Sequence, residues 1–252
     1  MPSPNVDIVF VLDASGSMKP CFNQLREHLK VILKPLQGTV SKVRYGLVAQ
    51  YASGNSYQQV YFHQFLNGSN LSCLQGLYSR SPNDPDPRNE YFTDDPDKLI
   101  SALSSIVPQG DEEMLVALDV AADFPFGPAS NTKRVIALFS DEPFEGGVTK
   151  GGFNDVIPKI IKKIMDRRIQ LFVAIPDSPA IQQIAETDKS EVELVSGAAG
   201  LQDVDFNKLL SQMGKSISAS SMQYTTEPSY ERALFGQDKW FEVNAQIGND
   251  SR

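Results

Sequence analysis

The chain has 252 residues, 41% of them hydrophobic and 21% charged, enough for one large α/β domain with a full core. A net charge of −8 and a pI near 4.8 repel phosphate backbones, so nucleic acid is not an expected partner. The basic pairs Lys162-Lys163 and Arg167-Arg168 fall on the face and end of one expected helix rather than in a patch.

Residues 6–12, Val-Asp-Ile-Val-Phe-Val-Leu, form an apolar run that predicts a buried strand. The run is too short for a membrane span and has neither a basic flank nor a cleavage site. The two cysteines, Cys21 and Cys73, have no metal-like spacing and read as free thiols of a reducing compartment, with a single disulfide as the alternative. A cytoplasmic protein is therefore expected. Phe22, Leu25, Leu29, Ile32, Leu33 and Leu36 then recur at helical spacing. Stretches 43–51 and 59–66 flank Ser53-Gly54-Asn55-Ser56, a hairpin signal, and are expected to pair antiparallel.

Residues 67–95 read as an inserted loop, because Ser81-Pro82-Asn83-Asp84-Pro85-Asp86-Pro87 is too proline-rich for regular structure. Helices are expected over 97–107 and 112–124. Next come a central strand at 134–139, a helix at 153–167, a strand at 169–175, a helix at 179–187 and a short strand at 192–195. A closing helix over 206–217 ends the pattern. The alternation predicts a Rossmann-like, doubly wound six-stranded sheet with one antiparallel edge strand and helices on both faces. The domain is expected over 1–217. Residues 218–252 form a C-terminal tail whose aromatics, Tyr224, Tyr230, Phe235, Trp240 and Phe241, are spaced irregularly. Such a tail can pack across the domain as an extended arm that buries Trp240, or dock onto a partner or a second copy, which is the expected fate.

The junction after the first strand carries the most chemistry. Asp13-Ala14-Ser15-Gly16-Ser17 delivers one carboxylate and two hydroxyls into a tight turn that Gly16 permits. An all-oxygen set suits a hard divalent cation, Mg²⁺ before Ca²⁺. The plainer alternative is that Asp13 or a serine only caps the next helix. Topology brings two further segments to the same sheet edge, Gly110-Asp111 and the turn after Phe139. Ligands of such sheets bind at the carboxyl ends of strands.

Val9-Phe10-Val11-Leu12-Asp13-Ala14-Ser15-Gly16-Ser17-Met18 resembles the opening of a von Willebrand factor A (vWA) domain, whose metal-ion-dependent adhesion site (MIDAS) begins D-x-S-x-S. The resemblance extends over roughly residues 5 to 217. It implies a vWA fold and a Mg²⁺ whose last coordination position is filled by a partner protein's carboxylate, with Ca²⁺ or Mn²⁺ as alternatives. The implied ligands are Asp13, Ser15, Ser17, Asp111 and Asp141. The family's third element is a threonine in a glycine-rich loop. Here Pro108-Gln109-Gly110-Asp111-Glu112-Glu113 has none, and Asp111 fits the G-G-D version of some bacterial members. Asp111 is equally a helix N-cap, and Glu112 is a weaker alternative ligand. Asp141 closes Val135-Ile136-Ala137-Leu138-Phe139-Ser140-Asp141, which is similar to the family's fourth element, an aspartate that acts through water. Its plainer role is a turn residue before Pro143, with Glu142 as a spare carboxylate.

Intracellular bacterial proteins of this kind often serve as adaptors for a MoxR-like AAA+ ATPase or within multi-gene systems. A non-enzymatic interaction module, adaptor or regulatory subunit, is the implied function. The enzyme alternative is a haloacid-dehalogenase-like (HAD-like) Mg²⁺ phosphatase. That chemistry needs a second carboxylate two residues after the first as general acid, and position 15 is serine. The histidines, His28 and His63, lie within an expected helix and strand, away from the top loops, which disfavours a Ser-His-Asp hydrolase. No phosphate-binding or dinucleotide glycine motif occurs. A structural subunit that has lost its metal is the remaining alternative.

Overall fold

The computed structural model describes residues 5–37, 42–50, 60–65, 69–72, 91–110, 114–144, 153–186, 190–195, 201 and 205–219. Strand β1 (Asn5–Asp13) lies between β2 (Lys42–Gln50) and β5 (Thr132–Phe139), parallel to both. Burial on both faces is why it reads as an unbroken apolar run rather than an alternating one. Beyond β5 follow β6 (Ile169–Pro176) and β7 (Ser190–Val195), both parallel. On the other side β3 (Val60–Gln64) pairs antiparallel with β2, and β4 (Ser69–Ser72) antiparallel with β3. The sheet order is β4-β3-β2-β1-β5-β6-β7.

The doubly wound α/β fold expected from the alternation is therefore present, with five consecutive parallel strands running out to the β7 edge. Its sheet differs from the expected six strands in having seven. The extra strand, β4, lies inside the stretch read as an irregular insertion, so the antiparallel β3 sits one place in from the edge. Ser69-Asn70-Leu71-Ser72 holds a single apolar residue and no alternation. Its strand state comes from the open side of β3, not from its own propensity. The far end of the same stretch is anchored too. Thr93 bridges to Tyr45, and Tyr91 and Phe92 are buried against Phe124. Residues 73–90 and the tail 220–252 lie outside the described residues.

Helices α1 (Lys19–Gln37), α2 (Pro96–Ser104) and α6 (Phe206–Ala219) cover one face of the sheet. Helices α3 (Met114–Ala122), α4 (Phe153–Asp166) and α5 (Pro179–Ala185) cover the other. Alternate residues of β1 serve the two layers. Ile8, Phe10 and Leu12 pack with Leu25, Leu29 and Leu33 of α1, while Val9 and Val11 face α3. Asp95 starts α2 by accepting from the backbone N–H of Asp97 at 2.9 Å and Lys98 at 3.4 Å. That helix climbs beside β2 and returns the chain to the carboxyl edge of the sheet.

Helix α3 is buried along its whole length, Asp119 included. The Lys163 ammonium of α4 contacts both Asp119 and Asp123 at 2.5 Å. Burial pulls the Lys163 ammonium down, but the two carboxylates outweigh it and hold the lysine charged. Removing one partner of such a pair strands the other. Lys163→Met should cost about 3 kcal/mol in urea unfolding at pH 7, and Asp119→Leu added to it should recover most of that loss. A double variant no more stable than the single one would show that the pair does more than neutralise itself.

Candidate functional site

Three segments meet where β1 and β5 end. The turn after β1 is held on one side by Ala14 N–H donating to the Gln50 carbonyl at 2.8 Å. On the other side Gln109 N–H donates to the Ala14 carbonyl at 2.8 Å, and Gly16 N–H to the Gly110 carbonyl at 3.0 Å. Gly110 has φ 70°, the left-handed region that a side chain disfavours. The turn after β5 is tied to β6 by Ser140 N–H donating to the Ala174 carbonyl at 3.0 Å. The convergence of the 13–17, 108–110 and 140–142 segments expected from topology is thus realised.

Asp13 is fully buried, and both its oxygens are engaged. Oδ1 accepts from the Ser15 backbone N–H at 2.8 Å, and Oδ2 from the Ser140 hydroxyl at 2.7 Å. The Ser15 and Ser17 hydroxyls lie 2.8 Å apart, and Ser17 Oγ donates to Asp141 Oδ1 at 3.1 Å. Asp13, Ser15, Ser17 and Asp141, read from the sequence as four members of one site, form a continuous polar chain across two strand ends. Asp141 is buried, and its Oδ2 has no hydrogen-bond partner among the described residues.

Electrostatics mark both carboxyls as costly to ionise. Burial pushes Asp13 up to about 6, although the hydrogen bonds from Ser140 and Ser15 pull the other way. Burial also raises Asp141. Cys21, buried on α1, has its thiol pushed up to about 11 by burial and then by the charges of Asp141 and Asp13. It is a poor nucleophile there. Two carboxylates and two hydroxyls, with one buried carboxylate oxygen unpartnered, fit a hard divalent cation. Among the described residues no three His, Cys, Asp or Glu side chains cluster, so any cation here depends on the serine oxygens as well. Asp111, with Glu112 and Glu113, lies outside the described residues. His28 stands on α1, and His63 stacks edge-on against Phe65 in the β3 region, with ring centroids 4.7 Å apart; neither joins this polar chain.

Two polar residues at the same edge were missed in the sequence. Ser140 was legible as a polar residue between an apolar strand and Asp141, but nothing in the sequence shows that it reaches Asp13. Its hydroxyl also accepts from the Glu142 N–H at 3.2 Å, which braces the turn. Gln50 closes β2 beside Asp13, and its only signal is a polar residue ending an apolar strand.

The family model of the von Willebrand factor type A domain matches residues 7–83. That span holds β1 from Asp7 onward, the Asp13–Ser17 turn and α1, and runs past β4. No curated protein matches the chain. Solved structures share the fold: a von Willebrand factor type A protein from Catenulispora acidiphila is 14% identical over 85% of this chain, with a TM-score of 0.52. Proximal thread matrix protein 1 from the mussel byssus is 12% identical over 86%, with a TM-score of 0.54. The pilus adhesin SpaC of Lactobacillus rhamnosus GG is 15% identical over 87%, with a TM-score of 0.53. This chain covers 43%, 48% and 31% of those chains respectively. The shared architecture is that of the vWA fold, and the family model matches its first third. Among the described residues no helix is long and apolar enough to cross a membrane.

The raised Asp13 carboxyl makes the metal-free domain pH-sensitive. A folded-state value of about 6 against an ordinary 3.8 means that folding favours the protonated form. That contribution is full below the ordinary value and is lost as pH rises through about 6. Asp13→Asn, which cannot ionise, should therefore match the metal-free wild type near pH 4. By pH 7 it should exceed wild type by on the order of 2 kcal/mol in chemical denaturation. Parallel profiles for the two proteins would show that Asp13 ionises without cost.

Proposed function

We propose that the chain is a non-enzymatic, Mg²⁺-binding interaction module that acts as an adaptor or regulatory subunit of an intracellular multi-protein system. The observation that carries this reading is the polar chain from Asp13 through Ser15 and Ser17 to Asp141, with the buried Asp141 Oδ2 left unpartnered among the described residues. Asp13, Ser15, Ser17 and Asp141 would hold the ion, with Asp111 as the fifth candidate. Bound there, the cation supplies electrophilic attraction for a carboxylate of a partner protein.

The chain's own residues set how strongly such a site would attract. With Asp111 in place of a threonine, three carboxylates surround a dication instead of two, and the net field toward an external acid falls. The ion's main work is then to order the top loops. The Gly16–Gly110 and Ala14–Gln109 backbone bonds already join two of these loops, so order at the ion passes directly to the surface around it. A MoxR-like AAA+ ATPase is the partner class we propose, with a cytoplasmic location. Purification of the tagged chain in Mg²⁺ and in chelator, followed by mass spectrometry, tests it. An ATPase of that class recovered only with Mg²⁺ supports it, and a reproducible partner set identical in both buffers counts against a role for the ion.

Mg²⁺ at about a hundredfold over its Kd should raise the melting temperature by about 5–10 °C. Asp13→Ala should abolish that rise while the metal-free protein stays folded. Asp111→Ala should weaken Mg²⁺ more than Asp111→Asn, which keeps one ligand oxygen and the cap. A wild-type chain that shows neither a thermal nor a calorimetric response to Mg²⁺ would favour the structural subunit without metal.

Phosphatase chemistry has less support. The residue two positions after Asp13 is Ser15, whose hydroxyl pairs with Ser17, so no carboxylic acid stands there to protonate a leaving group. Small phosphoesters with Mg²⁺ should not turn over. Turnover lost in Asp13→Asn would overturn the binding-module reading.

A further inference from the structure

Gln50 ends β2 directly beside Asp13, its partner in the β1–β2 register. Side chains alternate along a strand, and Val11 and Val48 both belong to the core layer under α3, α4 and α5. Asp13 and Gln50 each lie two residues further on, so they share that face. Ser140, two residues after Leu138 of the same layer, extends the row from β5 and donates to Asp13 Oδ2 at 2.7 Å. Gln50, Asp13 and Ser140 thus run side by side across the carboxyl ends of β2, β1 and β5.

Gln50 is fully buried, yet neither its Oε1 nor its Nε2 has a hydrogen-bond partner among the described residues. A primary amide brings two donors and a carbonyl acceptor, and burying them unpartnered is costly. Packing alone does not call for it. The same face is lined by valine and leucine, and methionine would fill a similar volume without that cost. The second unpartnered oxygen of this edge, Asp141 Oδ2, lies on the opposite side of Asp13 in the strand order. A buried amide without a partner beside a carboxylate calls for a polar body at that edge. A hydrated cation is one, because Mg²⁺ sheds its waters reluctantly and those waters donate to acceptors around them.

We propose that Gln50 is a positioning residue of the cation site, its Oε1 accepting a hydrogen bond from a water that the ion retains. The inference rests on the Mg²⁺ reading of the site. It adds a neutral oxygen to an anionic cluster, so it orders the ion's waters without raising the charge. It also sets selectivity. Ca²⁺ exchanges water readily for direct oxygen ligands and gains less from an acceptor placed for a retained water.

Gln50→Met keeps the side chain's length and removes both polar atoms. Mg²⁺ and Ca²⁺ would each be titrated calorimetrically into the full chain, wild type and variant, and both proteins melted without metal. The expected results are a metal-free melting temperature at or above wild type, a loss of about tenfold in Mg²⁺ affinity and a smaller loss for Ca²⁺. Unchanged Mg²⁺ affinity, an equal loss for both ions, or a lower metal-free melting temperature would overturn the role of Gln50 and leave the cation reading standing. A wild-type chain that binds no Mg²⁺ would overturn both. If Gln50→Met does not fold, Gln50→Glu decides, because it keeps the acceptor. It should bind Mg²⁺ at least as tightly as wild type, and weaker binding overturns the proposal.

Discussion

The burial of the Asp13 carboxyl between two neighbouring strand ends is the constraint on which the rest depends. Strand β1 is flanked by parallel strands on both sides, so its last residue cannot turn outward to water. The carboxyl is instead solvated by the chain, through the Ser15 backbone N–H and the Ser140 hydroxyl. Each of those donors comes from a turn that must be held in place. The Ala14–Gln50, Gly16–Gly110 and Ser140–Ala174 backbone bonds hold them. One buried acid thus determines the conformation of several loops at once.

That arrangement is not self-sufficient. Burial still leaves Asp13 and Asp141 with raised carboxyls, and Asp141 keeps one oxygen without a partner among the described residues. A core built only for stability would replace such acids by apolar residues, because hydrogen bonds only partly offset the loss of water around a buried carboxylate. The contrast with the opposite edge of the sheet is instructive. There Asp7 is equally buried, but it receives two hydrogen bonds from Arg44 and a third from the Gly127 N–H. Asp7 is a finished structural pair. Asp13 and Asp141 are an unfinished one, and the difference separates scaffold from site.

Much of this was legible before the structure. The apolar run before Asp13, the helical spacing after it and the hairpin signal at 53–56 placed the parallel core and the antiparallel β3. Strand β4 was not legible, because one leucine among polar residues gives no period, and only the open edge of β3 makes it a strand. The anchoring of Tyr91 and Phe92 was hidden for a similar reason. Their burial against Phe124 and their attachment to β2 through Thr93 are long-range contacts that no local pattern encodes.

At the site, the sequence by itself determined which oxygen donors are present and on which turns they sit, since D-x-S-x-S and S-D follow directly from where the apolar strands stop. Tertiary structure alone decided what those donors do. It sent the Ser140 hydroxyl to Asp13 and, among the described residues, left an Asp141 oxygen and the Gln50 amide beside Asp13 without hydrogen-bond partners. The physical reason is that strand ends distant in sequence become neighbours only through sheet register. Hydrogen bonding between side chains is decided by that proximity, whereas strand and turn formation is largely decided by the residues themselves.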